Sequence, residues 1–448
     1  MYRIILLFGL FLITDSIAQN VLSAQQPPMG WNSYNCYGAT VTEEEVKANT
    51  DMMEIYLKDF GWEYVVIDYC WFFPTPGALN NPPQTENFKP PLTLDKYGRP
   101  LPAVDRFPSS KNGRGFKPLA DYIHSKGLKF GIHLMRGIPR QAVAAKLPIQ
   151  GTDKTAHDIA DTSSICNWLN HMYGVDMDKP GAQEYYDSLL KLYAEWGVDY
   201  IKWDDMLAPT YYEQEIEAAY KAVQKCGRPI VLSLSPGIRS LDPAEHVKKH
   251  ANLWRISRDF WDEWPQLKNQ FDLCANWAKH SGPGHWPDAD MLQLGRLSRR
   301  GPVGVERESR FTMDEQITHM TLWAINRSPL MMGGDLTMIR PFTLSLLRNR
   351  EVIAVNQNST GNRQLFRRGN HIAWTADEPN SENKYLALFN LGEDAETPVY
   401  VLLSDFGVEG VCTVRDLWKH KDLGKYRKDF FPVIPPHGAG LFKIGPAQ

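Results

Sequence analysis

Short apolar runs alternate with amphipathic stretches from residue 27 to about residue 345, and this repeat limits the chain to few folds. The runs have the length of buried strands, whereas the segments between them carry apolar residues at helical spacing. The predicted strands are Met29–Tyr34, Tyr64–Cys70, Lys129–Leu134, Tyr200–Asp204, Pro229–Ser235, Leu253–Ser257, a weak run near His285–Leu292, and Pro329–Gly333. The predicted helices are Glu43–Lys58, Pro118–Lys126, Ala182–Trp196, Tyr212–Cys226, Pro265–Lys279 and Met313–Ile325. Such a repeat forms a parallel sheet covered by helices.

Eight strands, most of them followed by a helix, predict an α/β fold of the (β/α)8 TIM-barrel type. A doubly wound open sheet is the structural rival, but it would carry a Gly-rich turn after its first strand, and the sequence has none there. After about residue 355, β-rich runs are separated by Gly, Asn, Asp and Pro, which predicts a C-terminal antiparallel β-sandwich. We therefore expect a barrel at 25–350 and a sandwich at 351–448, the latter stabilising the barrel or binding sugar.

The first residues have the pattern of a secretory signal peptide, here assigned to residues 1–24. A basic residue, Arg3, precedes the apolar run Ile4–Ile13, and small residues follow at possible cleavage sites. That run is too short to span a bilayer, so we expect a secreted or periplasmic protein without membrane insertion. The 49 basic and 52 acidic residues are nearly balanced, which argues against a nucleic-acid partner. The oligomeric state stays open.

Polar side chains cluster at the predicted carboxyl ends of the strands, which is the edge of a barrel where chemistry takes place. These residues are Tyr34, Asp68, Tyr69, His133, Lys202, Asp204, Ser235, Arg255, Asp259, Asp288 and Asp290. Asp204 and Asp259 each have a basic residue nearby in sequence. Two carboxylates from neighbouring strand ends are what a glycoside hydrolase requires, one to attack or activate water and one to protonate the leaving oxygen. The alternative is that they are caps or salt-bridge partners.

Six motifs, occurring in family order, resemble glycoside hydrolase family 27, the melibiase-like α-galactosidases and α-N-acetylgalactosaminidases. The motifs are Met29–Tyr34 (MGWNSY), Ile67–Trp71 (IDYCW), Gly127–His133 (GLKFGIH), Trp196–Asp204 (WGVDYIKWD), Trp254–Asp259 (WRISRD) and Gly282–Met291 (GPGHWPDADM). The resemblance covers nearly all of the mature chain, including the sandwich. It implies a retaining double displacement, in which Asp204 is the nucleophile and Asp259 the general acid/base.

The resemblance also implies which side chains bind the sugar. Lys202 and Arg255 would hold hydroxyls, Asp68 would accept hydrogen bonds on the far side of the ring, and Asp290 would line the pocket near the reacting carbon. Tyr34 occupies a position where relatives have an aromatic ring. Retention requires the two catalytic carboxyls to lie roughly 5–5.5 Å apart, with the acid/base protonated at the start. No metal or organic cofactor is implied, and no clustered His/Cys spacing argues for one.

Several positions depart from the α-galactosidase pattern. Typical relatives carry two adjacent Asp residues after the second strand, and the second of these helps to read the axial hydroxyl of galactose; here it is Tyr69. His133 replaces a Tyr, and Ser235 falls near a position that is Glu in galactosidases and Ser in N-acetylgalactosaminidases. The sequence allows two interpretations: Tyr69 and His133 rebuild the galactose pocket, or they change recognition around carbons 4 and 6.

Other departures concern structural residues. Met206 replaces a Cys, which leaves Cys166 without its family partner, whereas a Cys36–Cys70 bridge remains compatible with the resemblance. We interpret Arg136 and Arg140 as loop anchors, with recognition of an acidic sugar as the alternative. Asp205 and Asp262 are interpreted as supporting or solvated residues, and Asp288 as a structural partner of its loop.

The leading functional interpretation is a secreted exo-acting α-galactosidase that removes terminal α-galactosyl residues from oligosaccharides or polysaccharides. Within the family the rivals are a β-L-arabinopyranosidase, an α-N-acetylgalactosaminidase and an exo-enzyme on α-glucan. Arabinopyranose has galactose's ring configuration without the carbon-6 arm, so a bulky Tyr69 would favour it by closing that space. A rival of another class is a non-catalytic sugar-binding protein on a degenerate barrel.

Overall fold

The computed structural model describes residues 23–74, 84–393 and 396–447. The predicted signal peptide lies outside these residues, apart from Ser23 and Ala24. Within the three described segments, no helix combines the length and apolarity needed to cross a membrane.

Eight parallel strands form one sheet, and the sheet closes on itself. The strands are β1 (Met29–Asn32), β2 (Tyr64–Ile67), β3 (Lys129–Met135), β4 (Tyr200–Asp204), β5 (Val231–Leu234), β6 (Leu253–Arg255), β7 (Trp286–Asp288) and β8 (Leu330–Met332). Hydrogen bonding follows chain order from β1 to β7, with β8 on the other side of β1. A parallel bridge between Leu292, beyond β7, and Met332 of β8 completes the ring. The predicted TIM barrel is confirmed.

Helices surround the barrel, and each strand is followed by at least one. They are α1 (Glu43–Tyr56), α2 (Lys117–Ser125), α3 (Ala182–Trp196), α4 (Glu213–Lys225), α5 (Ala244–His250), α6 (Trp264–Trp277), α7 (Met313–Asn326), α8 (Pro341–Leu347) and α9 (Arg350–Asn358). Thr42 and Glu45 form a reciprocal capping box that fixes the start of α1. Six of these nine match predicted helices; α5, α8 and α9 were not predicted from the sequence, nor were the short helices Tyr34–Tyr37, Arg140–Ala144 and Ala156–Ile159.

The C-terminal region is an antiparallel six-stranded sheet. Its strands are β9 (Thr360–Arg368), β10 (His371–Asp377), β11 (Lys384–Asn390), β12 (Cys412–Asp416), β13 (Lys421–Tyr426) and β14 (Ala439–Pro446), paired in the order β9-β10-β11-β14-β12-β13. One face packs on the barrel, where Phe389 meets Phe271 of α6 with ring centroids 4.8 Å apart. Short strand pairs, such as Val401–Leu402 with Asp429–Phe430, accompany the sheet, and the predicted sandwich is confirmed.

All six cysteines are free thiols, so the structure does not contain the Cys36–Cys70 bridge that the resemblance left possible. Cys36 and Cys70 are both fully buried, and each is packed in the main hydrophobic core. A buried thiol behaves as a small apolar side chain, so core packing accounts for both residues without a covalent bond.

Candidate active site

The alternation of side chains along the barrel strands places the polar residues inside the barrel. Tyr64, Val66, Tyr200 and Leu253 belong to one buried cluster that fills its interior. Successive strand residues face opposite sides, so residues two positions further along the same strands also point inward. The next inward positions on β4 and β6 are Lys202 and Arg255, and Asp68 directly follows β2. The inward-facing side chains of the barrel are therefore mainly apolar at first and become charged at the carboxyl ends of the strands.

Asp204, the last residue of β4, is held by several contacts. Its Oδ1 accepts hydrogen bonds from Ser235 Oγ and from the backbone N–H of Asp205, both at 2.9 Å. His133 Nε2 lies 3.5 Å from its Oδ2. Burial alone would raise the pKa of Asp204, but the contact with His133 and the charge of Lys202 outweigh it and hold the pKa below its ordinary value. The carboxylate is thus ionised and fixed in orientation.

Asp68 forms a buried ion pair with Lys202, whose Nζ lies 2.9 Å from its Oδ2. The same oxygen accepts a hydrogen bond from Asn32 Nδ2 at 2.7 Å. Burial acts to raise the pKa of Asp68, but the positive charge of Lys202 dominates the balance and holds the pKa well below its usual value. Lys202 also lies 5.5 Å from the centre of the Tyr34 ring. This part of the site offers a charged donor and a charged acceptor side by side, as recognition of neighbouring hydroxyls requires.

Asp259 is much more exposed than Asp204 or Asp68, with 56% of its side chain accessible. Arg255 Nη2 is 3.2 Å from its Oδ1 and 2.9 Å from Oδ2 of the buried Asp290. Asp290 also accepts a hydrogen bond from the backbone N–H of Phe260 at 2.8 Å. Burial raises the pKa of Asp290, although Arg255 opposes this effect. Asp290 thus anchors both Arg255 and the chain next to Asp259.

The rings of Tyr34, Tyr69 and His133 pack together and form an aromatic wall of the site. The Tyr69 ring packs edge-on against Tyr34, with centroids 5.8 Å apart, and against His133, at 5.4 Å. Tyr69 is 3% exposed. Burial raises the pKa of Tyr34, and the carboxylates of Asp259, Asp68 and Asp204 raise it further, so its hydroxyl is a neutral hydrogen-bonding group near all three.

These residues line a cavity of about 860 Å³ at the carboxyl ends of the strands. From the sequence-predicted set, its wall includes Tyr34, Asp68, Tyr69, Lys202, Asp204, Ser235, Arg255 and Asp259. His133 and Asp290 are fully buried behind the wall, in contact with Asp204 and Arg255 respectively. The carboxylate of Asp290 is turned toward Arg255 and the backbone of Phe260, and its place near the reacting carbon stays a prediction. A cavity of this size accommodates a monosaccharide with part of its aglycone.

The backbone just beyond three of the strands adopts left-handed conformations. Cys70, Asp205 and Asp290 have φ values of +61°, +62° and +81°, and each lies at or beside a site residue. Gly237 has another role, because a Cβ at this position would lie 2.0 Å from the carbonyl oxygen of Ser257. Its lack of a side chain lets the loop after β5 contact the loop that carries Asp259.

Comparisons with known proteins agree with this geometry. A family model described as alpha galactosidase A matches residues 141–358, and one described as the alpha galactosidase C-terminal beta sandwich domain matches residues 368–444. A solved β-L-arabinopyranosidase of family GH27 from Geobacillus stearothermophilus has 52% sequence identity and a TM-score of 0.93, over 96% of this chain and 98% of that one.

The chain belongs to glycoside hydrolase family 27.

Two further relatives show how widely this family varies. A Bacillus halodurans C-125 protein, provisionally assigned as an α-N-acetylgalactosaminidase, has 47% identity and a TM-score of 0.85, over 95% of this chain and 99% of that one. Alpha-galactosidase 2 of Arabidopsis thaliana is 28% identical over 428 residues, which cover 94% of this chain and 90% of the plant protein. This protein is a glycoside hydrolase, and α-galactosidases, a GalNAc-type protein and an arabinopyranosidase are among its family 27 relatives.

Arg136, an unusual residue for this family 27 motif, is an anchor and not a cavity residue. It is fully buried, and its guanidinium contacts Asp205 at 3.0 Å and Glu215 of α4 at 2.5 Å. The Tyr212 ring lies over it, with 3.5 Å between Cζ and the ring centre. Arg140 donates a hydrogen bond to the backbone oxygen of Asn170 at 2.9 Å. The interpretation of both arginines as loop anchors agrees with these contacts.

The aspartates interpreted as supporting residues are also bonded within the protein. Asp205 is buried and paired with Arg136. Asp262 is fully buried and forms an ion pair with Arg307. Asp288 accepts a hydrogen bond from the backbone N–H of Asp290 at 2.8 Å, which places it as a structural partner of its loop.

Sequence reasoning missed several residues of this family 27 site. Asn32 contributes the amide that binds Asp68, although it was part of a quoted motif. The outer wall of the cavity includes Asn167, Trp168, Arg239, Arg258, Asn269 and Leu273. These lie in loops or, for Asn269 and Leu273, on α6. Two of them carried a signal: Arg258 is part of the motif Trp254–Asp259, and Trp168 is an aromatic residue in a long loop after β3.

Proposed function

We propose that this protein is a retaining, exo-acting β-L-arabinopyranosidase that releases terminal arabinopyranose from a glycoside. The observation that carries the proposal is the position of Tyr69. Its buried ring lies between Tyr34 and His133, in the cavity wall, next to Asp68. In α-galactosidases the resemblance puts a carboxylate at this position, where it helps to read the galactose hydroxyls. A fixed ring removes that acceptor and occupies the space beside carbons 4 and 6.

The comparisons support the same choice of sugar. The chain is 51–52% identical to an arabinopyranosidase, compared with 28% to the plant α-galactosidase. Arabinopyranose keeps the ring hydroxyls that Asp68 and Lys202 would bind in this proposal, and it lacks only the hydroxymethyl arm. The other residues of a galactose-type pocket are therefore compatible with arabinopyranose.

In the proposed mechanism each of the two aspartates has its own role, and both act in both steps. Ionised Asp204 attacks the anomeric carbon, and Asp259 donates a proton to the leaving oxygen, so the glycosidic bond breaks as the glycosyl-enzyme ester forms. Asp259 then takes a proton from water, which attacks the same carbon and releases Asp204. Lys202 and Arg255 hold hydroxyls throughout.

The test is a comparison of initial rates on 4-nitrophenyl β-L-arabinopyranoside, α-galactoside, α-N-acetylgalactosaminide and α-glucoside. We expect the highest kcat/KM on the arabinopyranoside. A pocket that excludes one small substituent discriminates by about 10–200-fold, so this is the expected preference over the galactoside. A higher kcat/KM on the galactoside would refute the proposed sugar specificity, and no release from any substrate would favour the non-catalytic rival.

Two variants at one position sharpen this test. Tyr69→Ala opens the space beside the sugar and is expected to raise kcat/KM on the galactoside relative to the arabinopyranoside. Tyr69→Phe is the matched control, because it keeps the ring and should preserve the preference. If both variants shift the preference equally, the hydroxyl of Tyr69, and not the volume of its ring, sets the specificity.

The second candidate remains an α-galactosidase, which the family models and the plant relatives favour. It requires that the carbon-6 arm fits beside Tyr69, and the same rates decide between the two. An α-N-acetylgalactosaminidase is less supported, because Ser235 Oγ is already engaged with Asp204.

We further propose that residues 1–24 direct the chain through a secretory pathway and are then removed. A basic start followed by an apolar run and small residues supports this proposal. Amino-terminal sequencing of the protein from its source, together with activity measurements on the extracellular or periplasmic fraction, tests it. An intact Met1 on the active protein would contradict it.

A further inference from the structure

Two adjacent helices on the outside of the barrel carry a set of side chains that the hydrolytic reaction does not use. The set consists of Glu213 and Glu217 on α4, and His246 and His250 on α5. Residues four apart on a helix lie on the same face, so each helix presents a pair of ligand-type side chains one turn apart. The two helices follow β4 and β5, the strands that lead to Asp204 and Ser235.

Three of the four side chains approach one another closely, and the fourth, Glu213, lies beside His246. One ligand atom each from Glu217, His246 and His250 lies within 4.8 Å of the other two. His246 Nε2 is 3.6 Å from Glu217 Oε1 and 3.6 Å from Glu213 Oε1. This nitrogen is buried and has no hydrogen-bond partner among the described residues.

These separations are long for hydrogen bonds but short enough for a shared metal ion. An N–H···O bond spans about 2.7–3.2 Å. Around a tetrahedral Zn²⁺ with bonds of about 2.0–2.1 Å, the ligand atoms lie about 3.4 Å from one another. The distances of 3.6 Å at His246 Nε2 therefore match a coordination shell better than they match direct hydrogen bonds.

Hydrogen bonds at Nδ1 orient both histidines, and that of His250, whose acceptor is a carbonyl oxygen, leaves the lone pair on Nε2. The Tyr211 hydroxyl is 2.6 Å from His246 Nδ1, and the His250 Nδ1–H group donates to the backbone oxygen of His246 at 2.9 Å. When Nδ1 carries the proton, the lone pair of Nε2 is free to coordinate. Metal-binding histidines are oriented by this kind of hydrogen bond.

We propose that His246, His250 and Glu217 bind a divalent transition-metal ion of the zinc type on the outer face of the barrel. Glu213 Oε1 lies 3.6 Å from His246 Nε2 but is outside the group of three, so the fourth position of a tetrahedral shell is left to water. Two imidazoles with a carboxylate suit Zn²⁺, Ni²⁺ or Cu²⁺, whereas Ca²⁺ and Mg²⁺ prefer shells made of oxygen. The second oxygen of Glu217 is 3.2 Å from Lys221 Nζ, which leaves its first oxygen to face the histidines.

The role of this ion is structural. His246, Glu213 and Tyr211 line a depression of about 460 Å³ on the surface, so an ion can reach them from solvent. The depression shares Ile238 and Arg239 with the wall of the active-site cavity. An ion bound by both helices would stabilise the packing of α4 on α5. It would thereby also stabilise the loop after β5, which contacts the loop that carries Asp259.

The experiment uses the untagged full-length protein after treatment with a chelator and dialysis. Zn²⁺ is titrated in competition with a chelating indicator dye, and thermal unfolding is followed with Zn²⁺, Mg²⁺ or Ca²⁺. We expect one Zn²⁺ per chain and a higher Tm with Zn²⁺ but not with Mg²⁺ or Ca²⁺, because an ion that binds only the folded state stabilises it. The absence of stoichiometric Zn²⁺ binding would overturn the proposal.

Variants test whether these residues are the ligands. Loss of a residue that only orients a ligand lowers metal affinity by about 10–100-fold, so Tyr211→Phe should have this effect, and His246→Gln or His250→Gln should lose about 100-fold or more. His280→Gln is the matched control: His280 Nδ1 is also 3.6 Å from a carboxylate, that of Glu245, but it belongs to no metal-binding group among the described residues. Equal affinity in all four variants would overturn the assignment.

Co²⁺ provides a readout that needs no variant. Bound to the wild-type chain in place of Zn²⁺, it should give the intense visible spectrum of a four-coordinate site, and Zn²⁺ should abolish it. The weak spectrum of a six-coordinate aqueous-type ion would contradict the proposed shell. Unchanged glycosidase rates of the metal-free His246 and His250 variants would show that the substitutions leave the fold intact.

Discussion

The two aspartates proposed to be catalytic lie in one cavity but in different surroundings. Asp204 is 16% exposed in its side chain and contacts Ser235, His133 and the backbone of Asp205. Asp259 is 56% exposed, and within the described chain its hydrogen bond comes from Arg255. One side of the cavity is therefore fixed and buried, whereas the other side is open to solvent.

This difference matches the two chemical tasks. A nucleophile must be ionised and must point at the anomeric carbon. Hydrogen bonds in a buried site meet both requirements, because they stabilise the charged carboxylate and fix its orientation. A general acid/base must exchange protons with the leaving group and with water, which an exposed carboxylate can do. The structure of each side therefore predicts how strongly its residues affect rate, pH dependence and stability.

The largest expected effect is at Asp204. Asp204→Gly removes the nucleophile and should lower kcat/KM by about 10⁵-fold or more, as removal of a nucleophile does elsewhere. Azide should restore part of the rate, because a small anion fits the vacated space and attacks from the same face as Asp204. The glycosyl azide formed should have the opposite anomeric configuration to the substrate, which product NMR determines.

Asp259 should show the next largest effect, with a different pattern. Asp259→Ala is expected to lower kcat/KM by about 10²–10⁴-fold on a natural glycoside, because general acid catalysis contributes this much. The loss should be much smaller on a 4-nitrophenyl glycoside, whose leaving group needs no proton. Azide should give a product of retained configuration, and an inverted azide here would exchange the roles of the two aspartates.

Among the residues of the site, the buried ion pair between Asp68 and Lys202 should have the largest effect on the free energy of unfolding. Asp68→Asn leaves Lys202 charged and unpaired in a buried site and should lower the free energy of unfolding by about 3–5 kcal/mol, measured by denaturant unfolding. The pKa of Asp68 is lowered in the folded state, so its stabilisation is complete above its unfolded pKa and is lost only as the pH falls through the folded value. The difference between variant and wild type should therefore stay constant from about pH 6 to pH 8. A difference that disappears at neutral pH would contradict this account.

His133 should act on the pH dependence of the reaction. Burial raises the pKa of Asp204, and His133 is the strongest of the groups that lower it. His133→Gln should therefore raise the pKa of Asp204 and move the acid limb of the kcat/KM profile on the best substrate to higher pH. The basic limb serves as the internal control and should not move. An unchanged acid limb would show that Lys202 and the backbone suffice to keep Asp204 ionised.

The barrel and the fixed side of the site were largely predictable from sequence because they follow from local periodicity. Alternation along β4 brings Lys202 and Asp204 to the strand end, and the six motifs place them among partners. The helix α5 was missed because its seven residues, rich in Lys and His, have no clear apolar stripe. A sequence also does not give the distance between two distant cysteines, so the bridge between Cys36 and Cys70 could not be decided from it.

Long-range contacts account for the other omissions. Arg136 and Glu215 are 79 residues apart in the chain, so no local pattern joins them. The direction of Asp290 depends on its left-handed backbone, which a sequence position alone does not specify. The spacing of His246 and His250 was readable, but its meaning depends on Glu217, which lies on another helix.

The smallest effect is expected for stability on the open side. Asp259→Asn should change the free energy of unfolding by no more than about 0.5 kcal/mol, because substitutions at exposed positions away from buried networks seldom do more. Arg255 remains paired with the buried Asp290, so the variant leaves no unpaired buried charge. Denaturant unfolding of Asp259→Asn beside Asp68→Asn measures both sides of the cavity in one experiment. If Asp259→Asn costs as much as Asp68→Asn, the open side is as tightly coupled to the fold as the fixed side, and exposure alone does not separate the two carboxylates.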